Sequence, residues 1–114
     1  MVQPVTELQV IDLVPGTGAE VKADSAFKAH YTGAFAVNGE IFGSTKNDEP
    51  LDFTFDSVLP GWQQGVPGTK VGGIRRLIIP ASLAYGEAPE GYIPNAQSRP
   101  LGALVFDVEV ISIN

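Results

Sequence analysis

The stretch AFKAHYTGAFAVNGEIF, residues 26–42, predicts two β-strands joined by a tight turn. Its first ten residues alternate between two faces, which carry Phe27, Ala29, Tyr31 and Gly33 on one side and Lys28, His30 and Thr32 on the other. This period of two is typical of a half-buried strand. Asn38-Gly39 then supplies the two positive φ angles that a type I′ hairpin turn requires. An antiparallel sheet is therefore the first prediction.

Glycine and proline exclude a helical architecture for the rest of the chain. The 114 residues include 13 Gly and 9 Pro, and only segments 5–14, 19–32 and 103–114 run ten or more residues without either. A helix bundle cannot be built from such pieces. The length suits one domain with its own core, so we predict a single domain over residues 1–114.

Four further segments complete the predicted sheet. Residues 103–114 and 51–55 each alternate apolar with polar side chains, and residues 73–79 form an apolar strand that begins after a pair of glycines. Residues 8–14 form a weaker strand, because their alternation breaks at Val10-Ile11, where we expect a β-bulge. Because residues 8–14 are a weak candidate, we predict a sheet of about five strands.

One short helix is predicted between residues 55 and 67. Asp56 or Ser57 can cap it, and Pro60 is tolerated in a first helical turn. The apolar side chains that this helix would carry are Val58, Leu59 and Trp62. Residues 81–86 predict one more helical turn. The fold class is therefore α+β, predominantly β, with an antiparallel sheet folded over one short helix.

Composition excludes several classes of function. The net charge of −6 has the wrong sign for binding phosphates, so nucleic acid is not an expected partner. The absence of Cys removes disulfides and thiolate chemistry, and no apolar run approaches the roughly 18 residues of a membrane span. Residues 1–9 lack the basic start and apolar core of a signal peptide. We expect a cytoplasmic protein if Met1 is the native start, whereas a cloning start would leave export open.

Catalysis by a nucleophile, a metal or paired carboxylates has little support in the sequence. His30 is the only His and falls on the polar face of its strand, so a catalytic triad or a His-rich metal site lacks its residues. A cluster of carboxylates is interpreted as a solvated acidic rim: Asp48, Glu49, Asp52 and Asp56. We expect no metal and no cofactor.

The remaining candidates for function are aromatic side chains on inward-facing positions: Tyr31, Phe42, Phe53, Phe55, Trp62, Tyr85 and Phe106. Packing in an ordinary core is the simpler interpretation for Phe53, Phe55 and Phe106. Trp62 and Tyr85 differ, since each carries a donor that burial must satisfy and each lies next to a glycine. A pocket lined by rings, with one or two phenol donors, suits an apolar ligand that bears a carbonyl.

Five motifs resemble those of FKBP-type peptidyl-prolyl cis/trans isomerases, in the same order and over essentially the whole chain. They are AHYTG at 29–33, PGW at 60–62, VGGIRRLIIP at 71–80, LAYG at 83–86 and LVFDV at 104–108. The resemblance implies a curved sheet wrapped over a short helix, which agrees with the periodicity. It also implies isomerisation of X-Pro bonds during protein folding, with proline-containing polypeptides as partners and macrolide inhibitors as further ligands. We expect a monomer without membrane or nucleic-acid partners.

The resemblance also implies the positions of the site. Trp62 would form the floor under the prolyl ring of the substrate, while the Tyr85 phenol and the Leu59 backbone N–H would donate to ligand carbonyls. The residues expected to carry catalysis are Tyr31, Trp62, Tyr85 and Phe106. Those expected to bind substrate are Phe42, Phe53, Val58, Leu59 and Ile93.

Such a pocket is sufficient for the reaction without a nucleophile or a metal. Rotation about a peptide bond breaks its resonance and costs about 18–20 kcal/mol. A water-poor apolar pocket favours the twisted amide, whose charge separation is reduced, over the planar one. Rings that hold the proline while the preceding chain rotates supply the differential binding that catalysis requires.

Gly43 is the main departure from the family pattern. Family members usually place Asp directly after this Phe, where its carboxylate bonds to the Tyr hydroxyl and to ligands. The resemblance thus implies that Tyr31 lacks its acceptor and that activity and macrolide binding are reduced. Gly43 also favours an alternative, a noncatalytic module of the same fold that binds Pro-containing peptides or a partner protein. A third interpretation is an unrelated all-β domain whose aromatic residues only pack a core.

Overall fold

A computed structural model describes residues 7–22, 26–36, 39–45, 49–54, 58–86 and 101–113. Within these ranges the elements are β1 (Gln9–Val14), β2 (Ala26–Phe35), β3 (Ile41–Ser44), β4 (Leu51–Thr54), α1 (Pro60–Gly65), β5 (Ile74–Ile79), a 3₁₀ turn (Ala81–Leu83) and β6 (Leu104–Ile113). The strands form one six-stranded antiparallel sheet in the order β1, β5, β6, β2, β3, and β4 also pairs with β2. The predicted fold class is confirmed, with six strands where about five were expected.

The long strands β2 and β6 form the centre of the sheet. They pair from Phe27 opposite Ile113 to Phe35 opposite Leu104, with one register shift between Lys28 and Ala29. Burial alternates along both strands, as their period of two predicts. The buried side chains on this face form the core with Val21, Trp62, Val66, Leu77 and Ile79.

The predicted hairpin joins β2 to β3. Gly39 has φ +74°, its N–H donates to the Phe35 carbonyl at 2.7 Å, and the Phe35 N–H donates to the Glu40 carbonyl at 2.9 Å. The antiparallel pairing of β2 and β3 is therefore confirmed. Asn38 lies outside the described residues, so the type of this turn stays a prediction.

The helix α1 begins at Pro60, so the prediction that it carries Val58 and Leu59 is wrong. Leu59 is the N-cap residue, its backbone is extended at φ −59° and ψ 151°, and no side chain caps the helix. The physical reason is Pro60, whose ring disfavours helical geometry in the residue before it and is itself suited to the first helical position. Asp56 and Ser57, the predicted caps, lie outside the described residues.

Two glycines allow α1 to lie directly on β5. A Cβ added at Gly61 would lie 2.6 Å from Cγ2 of Ile79, and one added at Gly65 would lie 2.7 Å from Cδ2 of Leu77. Because the glycines are four residues apart, both face the sheet from the same side of the helix. The close approach places Trp62, between them, against the sheet.

Arg75 holds the C-terminal end of α1 from β5. Its Nη1 donates to the carbonyls of Gly65 and Pro67 at 3.0 Å each, and its Nε donates to Asp12 at 2.6 Å. The Arg75 side chain is only 13% exposed. A cation placed here also stabilises the partial negative charge at the end of a helix, so Arg75 joins β1, β5 and α1.

The edge strand β1 departs from the expectation of a bulge at Val10-Ile11. Its register against β5 shifts between Asp12 and Val14 and is regular at Val10 and Ile11, so the predicted bulge at Val10-Ile11 is wrong. All six residues of β1 are exposed. Apolar side chains therefore lie on both of its faces, and an interruption of the alternation there does not indicate an irregular backbone.

The face of the sheet opposite the core carries His30. Its Nδ1 lies 3.0 Å from Oγ1 of Thr45, and the same oxygen accepts a hydrogen bond from the Tyr31 N–H at 2.9 Å. His30 thus lies on the polar face of β2, as predicted. In the part of the chain that the structure describes, no helix is long and apolar enough to cross a membrane.

We predict that Gly61→Ala and Gly65→Ala each destabilise the protein by about 1–3 kcal/mol, because the added methyl groups overpack the contact with β5. In a helix, alanine is more favourable than glycine by about 1 kcal/mol, so both variants would be more stable than the wild type if this contact were absent. Gln64→Ala, at an exposed position of the same helix, is the matched control and should change little. Urea unfolding measures all three, and a stabilised Gly65→Ala variant would contradict the close contact.

Candidate active site

A cavity of about 420 Å³ lies between α1 and the core face of the sheet. It is lined by Tyr31, Phe42, Leu51, Phe53, Val58, Leu59, Pro60, Trp62, Tyr85 and Phe106. The structure thus brings together eight of the nine residues predicted for the site, and the ninth, Ile93, lies outside the described residues. Leu51 and Pro60 were not predicted. Pro60 follows Leu59 and Leu51 lies two residues before Phe53, but neither is polar or aromatic, so no chemical signal marked them.

Trp62 forms the floor of the cavity and is 4% exposed. Its ring centroid lies 5.0 Å from that of Phe53, 5.4 Å from Phe106 and 6.0 Å from Tyr31. The Phe106 and Tyr31 rings stand nearly perpendicular to the indole, at 82° and 75°. Edge-to-face contacts of this kind are favourable and fix ring orientation, so the floor is rigid.

The indole N–H of Trp62 is buried without a hydrogen-bond partner among the described residues. The expectation that burial would satisfy this donor is therefore wrong. Two of the three rings packed around the indole, those of Phe53 and Phe106, carry no oxygen or nitrogen acceptor. The cavity floor is apolar even where the residue carries a donor.

One wall of the cavity depends on Gly33 in β2. A Cβ at Gly33 would lie 2.7 Å from Cζ of Phe42 and 2.8 Å from Cε1 of Phe106. These two rings meet edge to face over the glycine, at 5.7 Å and 87°. The sequence had placed Gly33 only on the inner face. A glycine inside a strand often marks a close approach by another group, and that signal was available.

Tyr85 stands at the rim, two residues after the 3₁₀ turn, and is 52% exposed. Partial burial of its phenol raises the pKa of Tyr85 above the ordinary value of 10.0, and the nearby Tyr31 raises it further. The hydroxyl therefore stays protonated at neutral pH. It is available as a hydrogen-bond donor at the mouth of an apolar cavity.

Gly43 faces the hydroxyl of Tyr31. A Cβ at this position would lie 3.3 Å from the Tyr31 Oη. In the ranges that the structure covers, Tyr31 makes its hydrogen bonds through its backbone, to Thr45 and within the sheet. A side chain at residue 43 would therefore reach the phenol, and glycine leaves that phenol without an acceptor from β3.

The fold and the cavity together define a class of protein: a small domain whose curved sheet holds an aromatic cavity against one short helix. The described residues contain no group of three or more His, Cys, Asp or Glu side chains that could hold a metal ion. The family model of the FKBP-type peptidyl-prolyl cis-trans isomerases matches residues 18–111. The chain belongs to this family, and the family and the fold predicted from the sequence are confirmed.

Individual relatives agree with this assignment. A probable FK506-binding protein of Corynebacterium glutamicum is 38% identical over 109 residues, which cover 93% of this chain and 86% of the relative. The isomerase FkpA of Aeromonas hydrophila is 41% identical over 99 residues, 86% of this chain, but the chain spans only 35% of that relative. The crystal structure of a peptidyl-prolyl cis-trans isomerase from Pseudomonas syringae has a TM-score of 0.76 and 31% identity, and the match covers 94% of this chain and 75% of that one.

We predict that the pKa of Tyr85 lies above the ordinary value of 10.0, because burial and Tyr31 both disfavour the phenolate. In a pH titration followed by tyrosinate absorbance, Tyr85→Phe should remove a component that titrates above the ordinary range of tyrosine. Loss of a component at or below that range would show that the phenol is fully solvated. Because a donor is lost only on ionisation, ligand affinity should stay constant up to the raised pKa and fall above it.

Proposed function

We propose that the cavity binds a prolyl residue of an unfolded or folding polypeptide and accelerates rotation about the preceding peptide bond. The observation that carries this proposal is the rigid, ring-lined cavity over Trp62. Its volume of about 420 Å³ accommodates a proline ring with parts of its neighbours, within the size range of small-ligand sites. We infer that Trp62 lies under the prolyl ring and that Phe106, which stands nearly perpendicular to the indole, contacts the ring from the side.

The polar groups of the site lie at its rim and serve the carbonyls of the substrate. The Tyr85 hydroxyl is protonated and half exposed, so it can donate to a carbonyl flanking the proline. The Leu59 N–H adjoins the cavity on the helix side. We propose that these two donors orient the substrate chain while the floor holds the ring.

Catalysis in this proposal rests on preference for the twisted amide. A planar amide is more polar than a twisted one because resonance separates its charge. Transfer into a water-poor cavity therefore disfavours the planar form more than the twisted form, which lowers the barrier of about 18–20 kcal/mol. The ring contacts hold the prolyl side still, so rotation occurs on the side of the preceding residue.

Macrolide inhibitors are the second class of ligand that we propose for this cavity. Their recognition would use the same apolar floor and the same rim donors, so they would compete with proline-containing peptides. The name of the Corynebacterium relative, an FK506-binding protein, supports this part of the proposal. Gly43 offers no carboxylate beside the Tyr31 hydroxyl, which lowers the affinity expected for a polar ligand group.

We predict that catalytic amounts of the protein accelerate cis/trans isomerisation in a coupled proline-peptide assay. Trp62→Ala should lower kcat/KM about tenfold or more, because the floor is lost, which corresponds to about 1.4 kcal/mol. Tyr85→Phe should lower it about fivefold, as expected for one hydrogen bond of about 1 kcal/mol. Ser82→Ala, at an exposed position near Tyr85, is the control. Unaltered activity in both site variants would overturn the assignment of the cavity.

The alternative, a noncatalytic peptide-binding module, makes a different prediction in the same experiment. Proline peptides would quench or shift the fluorescence of Trp62, the only Trp of the chain, while the rate of isomerisation would stay at its uncatalysed value. Gly43 is the feature that favours this alternative. Peptide binding without rate enhancement across several X-Pro peptides would decide for it.

We predict that Gly43→Asp raises kcat/KM by about tenfold, because the new carboxylate accepts a hydrogen bond from Tyr31, and bonds to charged groups are worth about 1.5–3 kcal/mol. Gly43→Ala supplies the Cβ at 3.3 Å from the Tyr31 Oη without the acceptor, so it isolates the steric effect. No gain in Gly43→Asp over Gly43→Ala would mean that the missing acceptor does not limit activity.

A further inference from the structure

We propose that Gln63 is a positioning residue that orients the peptide group between Val58 and Leu59, so that the Leu59 N–H is presented to the ligand carbonyl. The inference rests on the proposed function, in which the Leu59 N–H is one of two donors to the substrate, and it says which side chain orients that N–H. Gln63 lies on the exposed side of α1 and does not line the cavity. It would act through the backbone that leads into the helix.

Gln63 bonds to both carbonyls of the segment that enters α1. Its side-chain Nε2 donates to the Val58 carbonyl at 3.1 Å, and its backbone N–H donates to the Leu59 carbonyl at 3.0 Å. The second bond is ordinary helix geometry, since Leu59 is the N-cap residue. The first is additional, and it ties a peptide group outside the helix to a side chain inside it.

Because the peptide group is planar, the bond from Gln63 to the Val58 carbonyl also fixes the direction of the Leu59 N–H. The Val58 C=O and the Leu59 N–H belong to one trans amide, so they lie in one plane and point in opposite directions. With its oxygen turned towards the Gln63 amide, this unit turns its N–H away from Gln63. Val58, Leu59 and Pro60 all line the cavity, so that direction leads to the ligand.

The Leu59 N–H is free to make such a contact. It donates to no acceptor within the residues that the structure describes, whereas the Leu59 carbonyl accepts from both Trp62 and Gln63. The following residue, Pro60, has no N–H. Of the two peptide groups between Val58 and Pro60, only that of Leu59 carries an N–H, and its direction is set by a single peptide plane.

Gln64 provides a matched control within the same helix. It is the same residue type, the next in sequence and also exposed, but Gln63 alone of the two makes a side-chain hydrogen bond within the described ranges. Changes at residue 64 reproduce the alterations of charge and helix propensity that changes at residue 63 cause. A difference between the variants at residue 63 and those at residue 64 is therefore due to the hydrogen bond from Gln63 to the Val58 carbonyl.

The test uses Gln63→Glu, which keeps the size of the side chain but replaces its donor with a carboxylate that repels the Val58 carbonyl. The full chain is measured, first without ligand by NMR and amide hydrogen exchange, then in the proline-peptide assay. We expect the Leu59 amide resonance to shift, its hydrogen exchange to become faster and KM to rise about threefold, less than the loss of a whole hydrogen bond would cause. Gln63→Lys, whose ammonium can still donate, should restore both readouts.

Two results would overturn the proposal. The first is a Leu59 amide whose shift and exchange are the same in Gln63→Glu and in Gln64→Glu. The second is an equal rise of KM in both variants, which would assign the effect to charge. If the wild-type chain catalyses no isomerisation, the proposed function fails, while the Leu59 amide of the ligand-free protein still decides whether Gln63 orients this peptide.

Discussion

The direct contact between α1 and β5 is the constraint on which the rest of the structure depends. A helix of six residues is too short to be stable alone, so it must be fixed by the sheet. Gly61 and Gly65 remove the side chains that would hold it away from Ile79 and Leu77. Arg75 then fixes its C-terminal end. Because Trp62 lies between the two glycines, its depth under the sheet follows from this contact.

The cavity is the space that this arrangement leaves between Trp62 and the curved face of β2 and β6. A second glycine contact shapes its wall, since Gly33 allows the Phe42 and Phe106 rings to meet. The cavity can favour the twisted amide only if its walls do not adjust to fit the planar one. Binding of the twisted form contributes to catalysis when the site is already in place before the substrate arrives. Ring contacts and backbone approaches without intervening side chains provide that rigidity. The donors lie at the rim, on Tyr85 and on the backbone of Leu59.

Periodicity predicted the sheet well where one face is buried and poorly at its edge. The alternation in β2 and β6 gives the correct faces, because their inner side chains are removed from water. In β1 every residue is exposed, so burial imposes no pattern and the bulge was misplaced. The helix α1 begins later than the capping signal of Asp56 or Ser57 predicts, because Pro60 keeps Leu59 out of helical geometry. The cavity residues came from the resemblance, since periodicity alone could not bring β4, α1 and the 3₁₀ turn to one place.

The indole N–H of Trp62, which is buried without a partner among the described residues, argues that the floor is kept for its shape. A buried donor without a partner costs about 1–3 kcal/mol, and phenylalanine would fill an apolar core without that cost. Tryptophan offers a larger flat surface, against which three rings are already arranged edge-on or tilted. Natural proteins tolerate such a local cost mainly at functional sites. A residue that only packed the core would therefore favour phenylalanine, whereas a floor that must support a prolyl ring favours the wider indole.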